Sequence, residues 1–280
     1  MTGGHHVFSC YKEHKPAYGN PTLLDQTNER QVRQAISEIR PEAIINTAAV
    51  TDVDQCEENG NIASLVNATS VSYVANSARE CEAFLVQVST DYVFDGERGG
   101  YSESASPNPI NKYGLSKLAG EQAATAAGDG NVCIARTSVV YGWGRPQRPN
   151  AATYVYDRLS KHERISMVRD QFSSPTLNTN LAHMLIEIAE RRLPGTIHVA
   201  GATRLNRFDF AVGLAENLGL DKSLIQPISV SDMKWKAKRP RDSSLDVTKA
   251  LRVLAHKPYS IDQAYTEFQK EARPSAPHQT

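Results

Sequence analysis

The chain has 280 residues, and its 31 lysine and arginine side chains are balanced by 31 aspartate and glutamate side chains. Neutral net charge gives no global electrostatic reason to expect nucleic acid or an anionic membrane as a partner. No apolar run approaches bilayer length, the first residues lack the apolar core of a signal peptide, and the length suits one large or two-lobed α/β domain.

The four cysteines are scattered, with no C-x-x-C pair or other spacing typical of metal ligands, so we predict no metal site. Reduced thiols are the rule in the cytoplasm, where disulfides are rare. The pattern therefore predicts a cytoplasmic protein with free thiols. The four positions are Cys10, Cys56, Cys81 and Cys133.

Short apolar runs alternate with amphipathic helical stretches over the first half of the chain. Strands separated by helices are typical of crossover connections and a parallel sheet. We therefore expect an α/β fold with a Rossmann-like, doubly wound parallel sheet, in which ligands bind at the carboxyl ends of the strands. The predicted strands are 6–11, 43–46, 84–88 and 131–136, and the predicted helices are 29–39, 62–81 and 113–127.

The pattern changes after Gly142, where glycine, proline and arginine cluster over 142–149 and predict a flexible or ligand-covering loop. We expect the rest of the chain to form a smaller C-terminal lobe. The predicted division is 1–142, 143–272 and a flexible polar tail at 273–280. In the second part we predict helices at 151–162, 177–191 and 207–217, strands at 165–168 and 195–199, and a closing helix.

A Tyr-x-x-x-Lys pair, Tyr113 and Lys117, stands at the start of the third predicted helix. Residues four apart share a helix face, and an ammonium group near a phenol lowers the pKa of that phenol. Tyr113 can then exchange a proton with a carbonyl or alcohol near neutral pH. A hydroxyl from Ser89 or Thr90, at the end of the preceding strand, can hold the same oxygen. The combination suits hydride transfer between a nicotinamide and a carbonyl group.

These motifs belong to a longer series that resembles the dTDP-4-dehydrorhamnose reductase family of the extended short-chain dehydrogenase/reductases. The resemblance implies NAD(P)H-dependent reduction of a nucleotide-linked 4-keto sugar, from dTDP-4-dehydrorhamnose to dTDP-L-rhamnose or a close analogue. It also implies that 1–142 binds NAD(P) and 143–272 binds the substrate, and it allows a homodimer. The matching segments are 45–57, 66–68, 89–96, 109–121, 136–138 with 141–142, 170–172 with 175–176, and 239–240 with Ser243, Leu245, Asp246 and Lys249, in the order of the family.

The resemblance assigns roles to individual residues. It makes Tyr113 the acid that protonates the carbonyl oxygen and Thr90 the catalytic hydroxyl, and Lys117 is expected to bind the nicotinamide ribose. Asp25 can instead cap the following helix, and Asn67 can instead be a polar residue of a helix face. The cofactor-binding candidates are Tyr11, Lys12, Asp25, Ala48, Ala49, Asn67, Ser89, Tyr113 and Lys117, and the substrate-binding candidates are Thr51, Val53, Tyr92, Gln171 and Arg239.

The cofactor choice is read just after the first predicted strand. Basic side chains there accommodate the 2′-phosphate of NADP, whereas an acidic one accepts hydrogen bonds from the ribose of NAD. Basic groups outnumber the single glutamate over 9–15. We therefore expect NADP(H) in preference to NAD(H).

A dinucleotide-binding fold normally opens with a strand, a glycine-rich turn and a helix that bind the pyrophosphate. Here the first residues lead directly into a run that matches the second strand of the family. Two interpretations compete: a truncated form, or a fold that has lost its pyrophosphate site. Unpaired strand edges are costly, which favours truncation. We expect the chain as written to be poorly soluble or to bind nucleotide weakly.

Two other functions stay open. A nucleotide-sugar epimerase or dehydratase shares the fold, although a dehydratase usually needs a carboxylate pair and Asp91 alone follows Thr90. A non-catalytic, NADP-binding regulatory subunit similar to the β subunit of methionine adenosyltransferase shares the same motifs, and loss of the glycine turn would suit it. Val139 and Ser173 stand where the family usually has tryptophan and glycine, so a different nucleotide-sugar substrate, or none, stays open.

Overall fold

The computed structural model describes residues 4–144 and 149–272, so the 145–148 part of the predicted loop and the predicted tail at 273–280 lie outside the described residues. Its strands are β1 (Phe8–Tyr11), β2 (Asn20–Leu23), β3 (Ala43–Asn46), β4 (Phe84–Thr90), β5 (Val132–Thr137), β6 (Val140–Tyr141), β7 (Ile165–Val168), β8 (Phe172–Ser173), β9 (Thr176–Leu177), β10 (Gly195–His198), β11 (Leu205–Asn206) and β12 (Ile225–Ile228). Its helices are α1 (Glu29–Ile39), α2 (Val53–Glu58), α3 (Gly60–Ser64), α4 (Ser70–Glu80), α5 (Lys112–Ala127), α6 (Ala151–Leu159), α7 (Asn178–Glu190), α8 (Arg207–Leu218), α9 (Thr248–Val253) and α10 (Ile261–Glu271).

Four parallel strands form the central sheet in the spatial order β10, β5, β4, β3. Strand β5 is buried along its whole length and β4 along nearly all of it, because helices cover both faces. Residues of α7 and α9 pack on one face, and residues of α1, α4 and α5 pack on the other. Burial on both faces explains the continuous apolar runs in the sequence, and the predicted parallel α/β sheet is confirmed.

Strands β1 and β2 form a separate parallel pair. Among the described strands, β1 hydrogen-bonds only to β2, and β3 hydrogen-bonds only to β4 on one side. Phe8 in β1 and Ile45 in β3 are 44% and 36% exposed. Each of these strands therefore has an open edge in the described part of the chain. Strand β2 was not predicted, because its short run contains Pro21, which disfavours a strand interior.

The helix predicted at 62–81 is interrupted in the structure. Helix α3 leads into a π-helical turn at Leu65–Thr69, and α4 follows directly. Single π-helical turns are frequent at functional sites. Helix α2 was not predicted, although Asp52 caps it by accepting a hydrogen bond from Gln55 N at 2.9 Å.

The second part of the chain builds its own apolar cluster from α6, α8 and α10 with the β7–β12 pair. It also returns to the first part, since β10 pairs with β5 and α7 packs on β3 and β4. The division at 142/143 stays a prediction, and the structure adds that the two parts share one sheet.

All four cysteines are free thiols. Within 4–144 and 149–272, no helix is long and apolar enough to cross a bilayer. The same residues contain no group of three or more histidine, cysteine, aspartate or glutamate side chains placed to hold a metal ion.

Candidate active site

Helix α5 presents its first turn to the carboxyl end of β4. Asn111 caps the helix, because its Oδ1 accepts a hydrogen bond from Gly114 N at 2.8 Å. A Cβ atom on Gly114 would lie 2.2 Å from the carbonyl oxygen of Tyr92, so glycine is required for this close approach. The helix begins at Lys112, one residue before the predicted start.

Tyr113 and Lys117 are both buried on α5, one helical turn apart. Tyr113 is 9% exposed, and its ring lies edge-on to that of Tyr92 with 5.8 Å between the centroids. Lys117 is 5% exposed, and its Nζ donates a hydrogen bond to the carbonyl oxygen of Val88 at 2.8 Å. An ammonium group has three donors, so two remain for other acceptors.

Burial is the largest influence on the pKa of both side chains. It raises the pKa of the Tyr113 phenol, and the Thr90 hydroxyl lowers that pKa in turn. Burial lowers the pKa of Lys117 to about 8, whereas Glu121, one turn further along α5, raises it. The expectation that Lys117 makes the phenol acidic is therefore not met in this structure, because loss of hydration outweighs the groups that favour the phenolate.

Thr90 ends β4 and contacts the carboxyl group of the next residue. Its Oγ1 donates a hydrogen bond to Asp91 Oδ1 at 3.1 Å and accepts one from Tyr92 N at 3.2 Å. Asp91 Oδ2 accepts hydrogen bonds from Ser138 Oγ at 2.7 Å and from Ser243 Oγ. Burial raises the pKa of Asp91, and the three hydroxyl groups lower it. Asp91 thus links Thr90 to two distant segments of the chain.

Ser89 and Thr90 point to opposite faces of β4, as successive strand residues do. Ser89 Oγ donates to Glu121 Oε1 at 2.5 Å, and the same carboxylate accepts from Arg136 Nε and Nη2 at 2.8 and 2.7 Å. All three side chains are buried. Of the two hydroxyls that the sequence leaves open, the structure places Thr90 beside Tyr113. Cofactor binding by Ser89 stays a prediction.

Asn67 lies in the π-helical turn and fixes the loop that follows β3. Its Oδ1 accepts from Val50 N at 2.9 Å, and its Nδ2 donates to Val50 O and to Ser116 Oγ, both at 3.0 Å. It is 1% exposed, so the alternative of a polar residue on a solvated helix face does not apply. Ala48 and Thr51 in this loop are exposed, and Ala49 is half-buried.

A second group of expected cofactor residues lies at the ends of β1 and β2. Lys12 Nζ is 2.9 Å from Asp25 Oδ2, and Tyr11 precedes Lys12 at the end of β1. Hydrogen bonds from the Thr27 hydroxyl and from Lys12 lower the pKa of Asp25 to about 2. Asp25 is not the cap of α1, because Asn28 accepts the capping hydrogen bond from Gln31 N.

The substrate-side candidates form a chain of contacts leading away from Tyr113. Val53 and Tyr92 pack in the same apolar cluster as Tyr113. Gln171 Nε2 lies 3.5 Å from the Tyr92 hydroxyl and 3.1 Å from the carbonyl oxygen of Pro240. The structure thus brings Val53, Tyr92 and Gln171 together, whereas Thr51 lies in the exposed loop after β3.

Arg239 is largely occupied by protein groups. Its Nη2 is 3.0 Å from Asp54 Oδ1, its Nη1 donates to the carbonyl oxygen of Ala237 at 3.2 Å, and its side chain is 9% exposed. These contacts join the 236–239 segment to α2. Substrate binding by Arg239 stays a prediction, and the structure gives this arginine a structural role.

Sequence reasoning did not assign roles to several residues that shape the site. They are Asn111, Glu121, Arg136, Ser138, Arg207, Trp235 and Ser243. The asparagine before the Tyr-x-x-x-Lys helix carried a recognisable capping signal. The others come together only through tertiary contacts, so no local spacing indicated them.

Comparison with protein families gives one match over nearly the whole chain. The family model described as the RmlD substrate binding domain matches residues 3–273.

Individual proteins agree with that match. The chain is 34% identical over 254 residues to a dTDP-4-dehydrorhamnose reductase from Aggregatibacter actinomycetemcomitans, covering 86% of this chain and 85% of the relative. It is 30% identical over 255 residues to methionine adenosyltransferase 2 subunit beta from Xenopus tropicalis, covering 89% and 75% of the two chains. The crystal structure of a dTDP-4-dehydrorhamnose reductase from Bacillus anthracis in complex with NADP superposes with a TM-score of 0.84 at 34% identity, covering 92% of each chain.

Proposed function

Because the chain belongs to the dTDP-4-dehydrorhamnose reductase family of the extended short-chain dehydrogenase/reductases, we propose that it reduces a nucleotide-linked 4-keto sugar with NADPH. The substrate that we propose is dTDP-4-dehydrorhamnose or a close analogue. The single observation that carries the proposal is the placement of Thr90, Tyr113 and Lys117 at the carboxyl end of β4.

The residues around Tyr113 fit the nicotinamide end of NADP. Lys117 keeps two donors after its bond to Val88 O, and these can reach ribose hydroxyls. Asn67 holds the loop that contains Ala48 and Ala49, whose small side chains leave room for a flat ring. When bound, NADPH would supply the hydride. Tyr11, Lys12 and Asp25 would contact its adenosine part, since they cluster at the ends of β1 and β2.

The chain's own groups handle the proton. Tyr113 donates its phenolic hydrogen to the carbonyl oxygen, and Thr90 stabilises the resulting phenolate, as its effect on the pKa of the phenol indicates. Lys117 adds positive charge from the same helix face. In the structure the Thr90 hydroxyl donates its hydrogen to Asp91, so it has to turn toward Tyr113 when the phenolate forms.

The test is the loss of NADPH absorbance in the presence of dTDP-4-dehydrorhamnose. Tyr113→Phe is expected to lower kcat by about 10²- to 10⁴-fold, because it removes the acid and little volume. The matched control is Tyr154→Phe on α6, which is 36% exposed. An undiminished rate in Tyr113→Phe would rule out the assigned acid.

A second candidate is a non-catalytic subunit, like the methionine adenosyltransferase relative. It is favoured by the burial of Tyr113 and the raised pKa of its phenol. A chain that binds NADPH but turns over no 4-keto sugar would support this candidate, and C4 inversion without net NADPH consumption would support the epimerase.

The reductase proposal has three further parts. Residues 1–142 bind the cofactor and 143–272 bind the substrate, the protein is a homodimer, and it is cytoplasmic, a location supported by the free thiols.

A further inference from the structure

Arg207 carries a positive charge beside the substrate-side residues and has no carboxylate partner in the part of the chain that the structure describes. It is the first residue of α8 and is half-buried, and its Nε donates to Gln171 Oε1 at 2.9 Å. Within 4–144 and 149–272, Arg207 forms no ion pair, whereas Arg136, Arg204 and Arg239 each contact an acidic side chain. Partly burying a charge without a counter-charge is costly, so an anionic ligand is the natural complement.

The guanidinium group of Arg207 is held from two sides. Gln171 Oε1 accepts the hydrogen of Arg207 Nε. The Cζ of Arg207 lies 5.7 Å from the centroid of the Trp235 ring. The Cζ of Arg239 lies 5.3 Å from the same ring. Both terminal amino groups of Arg239 are already in contact with acceptors, Nη2 with Asp54 and Nη1 with the carbonyl oxygen of Ala237. Of the two guanidinium groups at Trp235, Arg207 is the one whose terminal amino groups contact no acceptor in the described part of the chain.

The position of Arg207 connects it to the proposed reaction centre. Gln171 also reaches the Tyr92 hydroxyl at 3.5 Å, and the Tyr92 ring contacts the Tyr113 ring. Burial raises the pKa of Tyr92, and Arg207 is the first of the charges that lower it. A substrate with its keto group at Tyr113 that extended along Tyr92 and Gln171 would place its next groups at Arg207.

We propose, building on the function proposed above, that Arg207 binds the diphosphate of the nucleotide-sugar and that Gln171 and Trp235 position its guanidinium. A guanidinium group presents paired N–H donors that match phosphate oxygens, so it suits this role better than a single ammonium group. Arg239, whose terminal amino groups contact Asp54 and Ala237, holds the 236–239 segment against α2.

Calorimetric titration with dTDP, without NADPH or turnover, tests the assignment directly. Arg207→Gln is expected to weaken dTDP binding on the order of 10- to 100-fold, as for loss of charged hydrogen bonds. Arg207→Lys should lose part of the affinity. Binding of NADPH should not change in either variant. Arg158→Gln on α6, an exposed arginine paired with Glu163, is the matched control and should bind dTDP as the parent chain does.

Kinetics add a readout that a general structural defect would not give. With a sugar substrate, Arg207→Gln should raise KM by the same factor while kcat changes little. Unchanged dTDP affinity in Arg207→Gln, an equal loss in Arg158→Gln, or a parent chain that binds no dTDP would each overturn the assignment. If the parent chain binds dTDP through Arg207 but shows no turnover, the reductase proposal fails while this assignment stands.

Discussion

Thr90 Oγ1 lies 3.1 Å from Asp91 Oδ1, so the hydroxyl that flanks the Tyr113 phenol donates its one hydrogen to a buried carboxyl group. That hydrogen cannot also be given to a phenolate. In the proposed reaction, the Thr90 hydroxyl turns from Asp91 toward the phenolate of Tyr113, while Asp91 keeps its hydrogen bonds from Ser138 and Ser243. Asp91 therefore sets how readily Thr90 responds to the charge on Tyr113.

Removal of the Thr90 hydroxyl should slow the chemical step. We expect Thr90→Val, which keeps the branched shape, to lower kcat on the order of 10²-fold, the scale seen when a donor to a developing anion is removed. Thr90→Ser is the matched control, because it retains the hydroxyl and should keep most of the rate. Steady-state kinetics at saturating NADPH measure both. Equal rates for Thr90→Val and the parent chain would contradict a role for this hydroxyl.

The rate should fall in mildly alkaline solution because Lys117 loses its charge there. Its pKa is lowered to about 8 by burial, so the ammonium form dominates below that pH and disappears above it. We expect kcat/KM to decrease as pH rises through about 8. In Lys117→Arg, which stays protonated, that decrease should be absent even if the rate is lower overall. A parent profile that is flat through this range would contradict the assignment.

The buried pair of Glu121 and Arg136 should contribute strongly to stability. Removing one partner leaves the other as an uncompensated buried charge, so we expect Glu121→Ala to lower the free energy of unfolding by about 3–5 kcal/mol. The exposed pair of Arg33 and Glu80 supplies the control. Glu80→Ala should cost less than about 1 kcal/mol, as surface pairs do. Urea unfolding followed by circular dichroism compares the two, and similar costs would argue against the importance of burial.

Glu187 should make stability depend on acid pH. Burial raises the pKa of Glu187, but hydrogen bonds from the backbone of His256 and Ala255 and from Arg191 outweigh that effect and bring it to about 2. The folded pKa is depressed, so its stabilisation is present above the unfolded value of about 4.3 and is lost as pH falls toward about 2.

Thermal unfolding of Glu187→Gln measures this contribution. The variant should be less stable than the parent chain at neutral pH, and the difference should shrink as the solution is acidified from pH about 5 to about 3. A difference that stays constant over this range would show that the carboxylate charge is not responsible. Glu190→Gln, at an exposed position on the same helix, should change little at any pH.

The sequence predicted the elements whose signals are local. The limits of α1 and β3 match the predicted ones because an asparagine cap precedes a regular apolar period in the first and a short apolar run marks the second. Strand β2 could not be predicted, since its short Asn-Pro-Thr-Leu run forms a strand only by pairing with β1. Likewise, the apolar residues of 62–81 follow a helical spacing through the π-helical turn, so no local pattern indicated that turn.

The residues of the candidate site were likewise predictable only where the signal is local. Tyr113 and Lys117 share a helix, so their spacing alone indicated a common face. Ser243 donates to Asp91 across 152 positions of sequence, and Arg207 reaches Gln171 across 36. Such pairings depend on how the second part of the chain folds back, which a periodicity does not encode. The raised pKa of the Tyr113 phenol was not predicted for a related reason, because the depth of burial of a phenol is set by the whole packing around it.

The return of β10 to the outer side of β5 has a practical consequence for anyone who would cut this protein in two. A fragment ending near residue 142 would lose the neighbour of β5 and the helix α7 that shields β3 and β4. The exposed edge of β5 and the uncovered apolar face of β3 and β4 would favour aggregation. Fragment complementation, tag insertion and limited proteolysis are better directed at surface turns that leave the pairing of β10 with β5 intact.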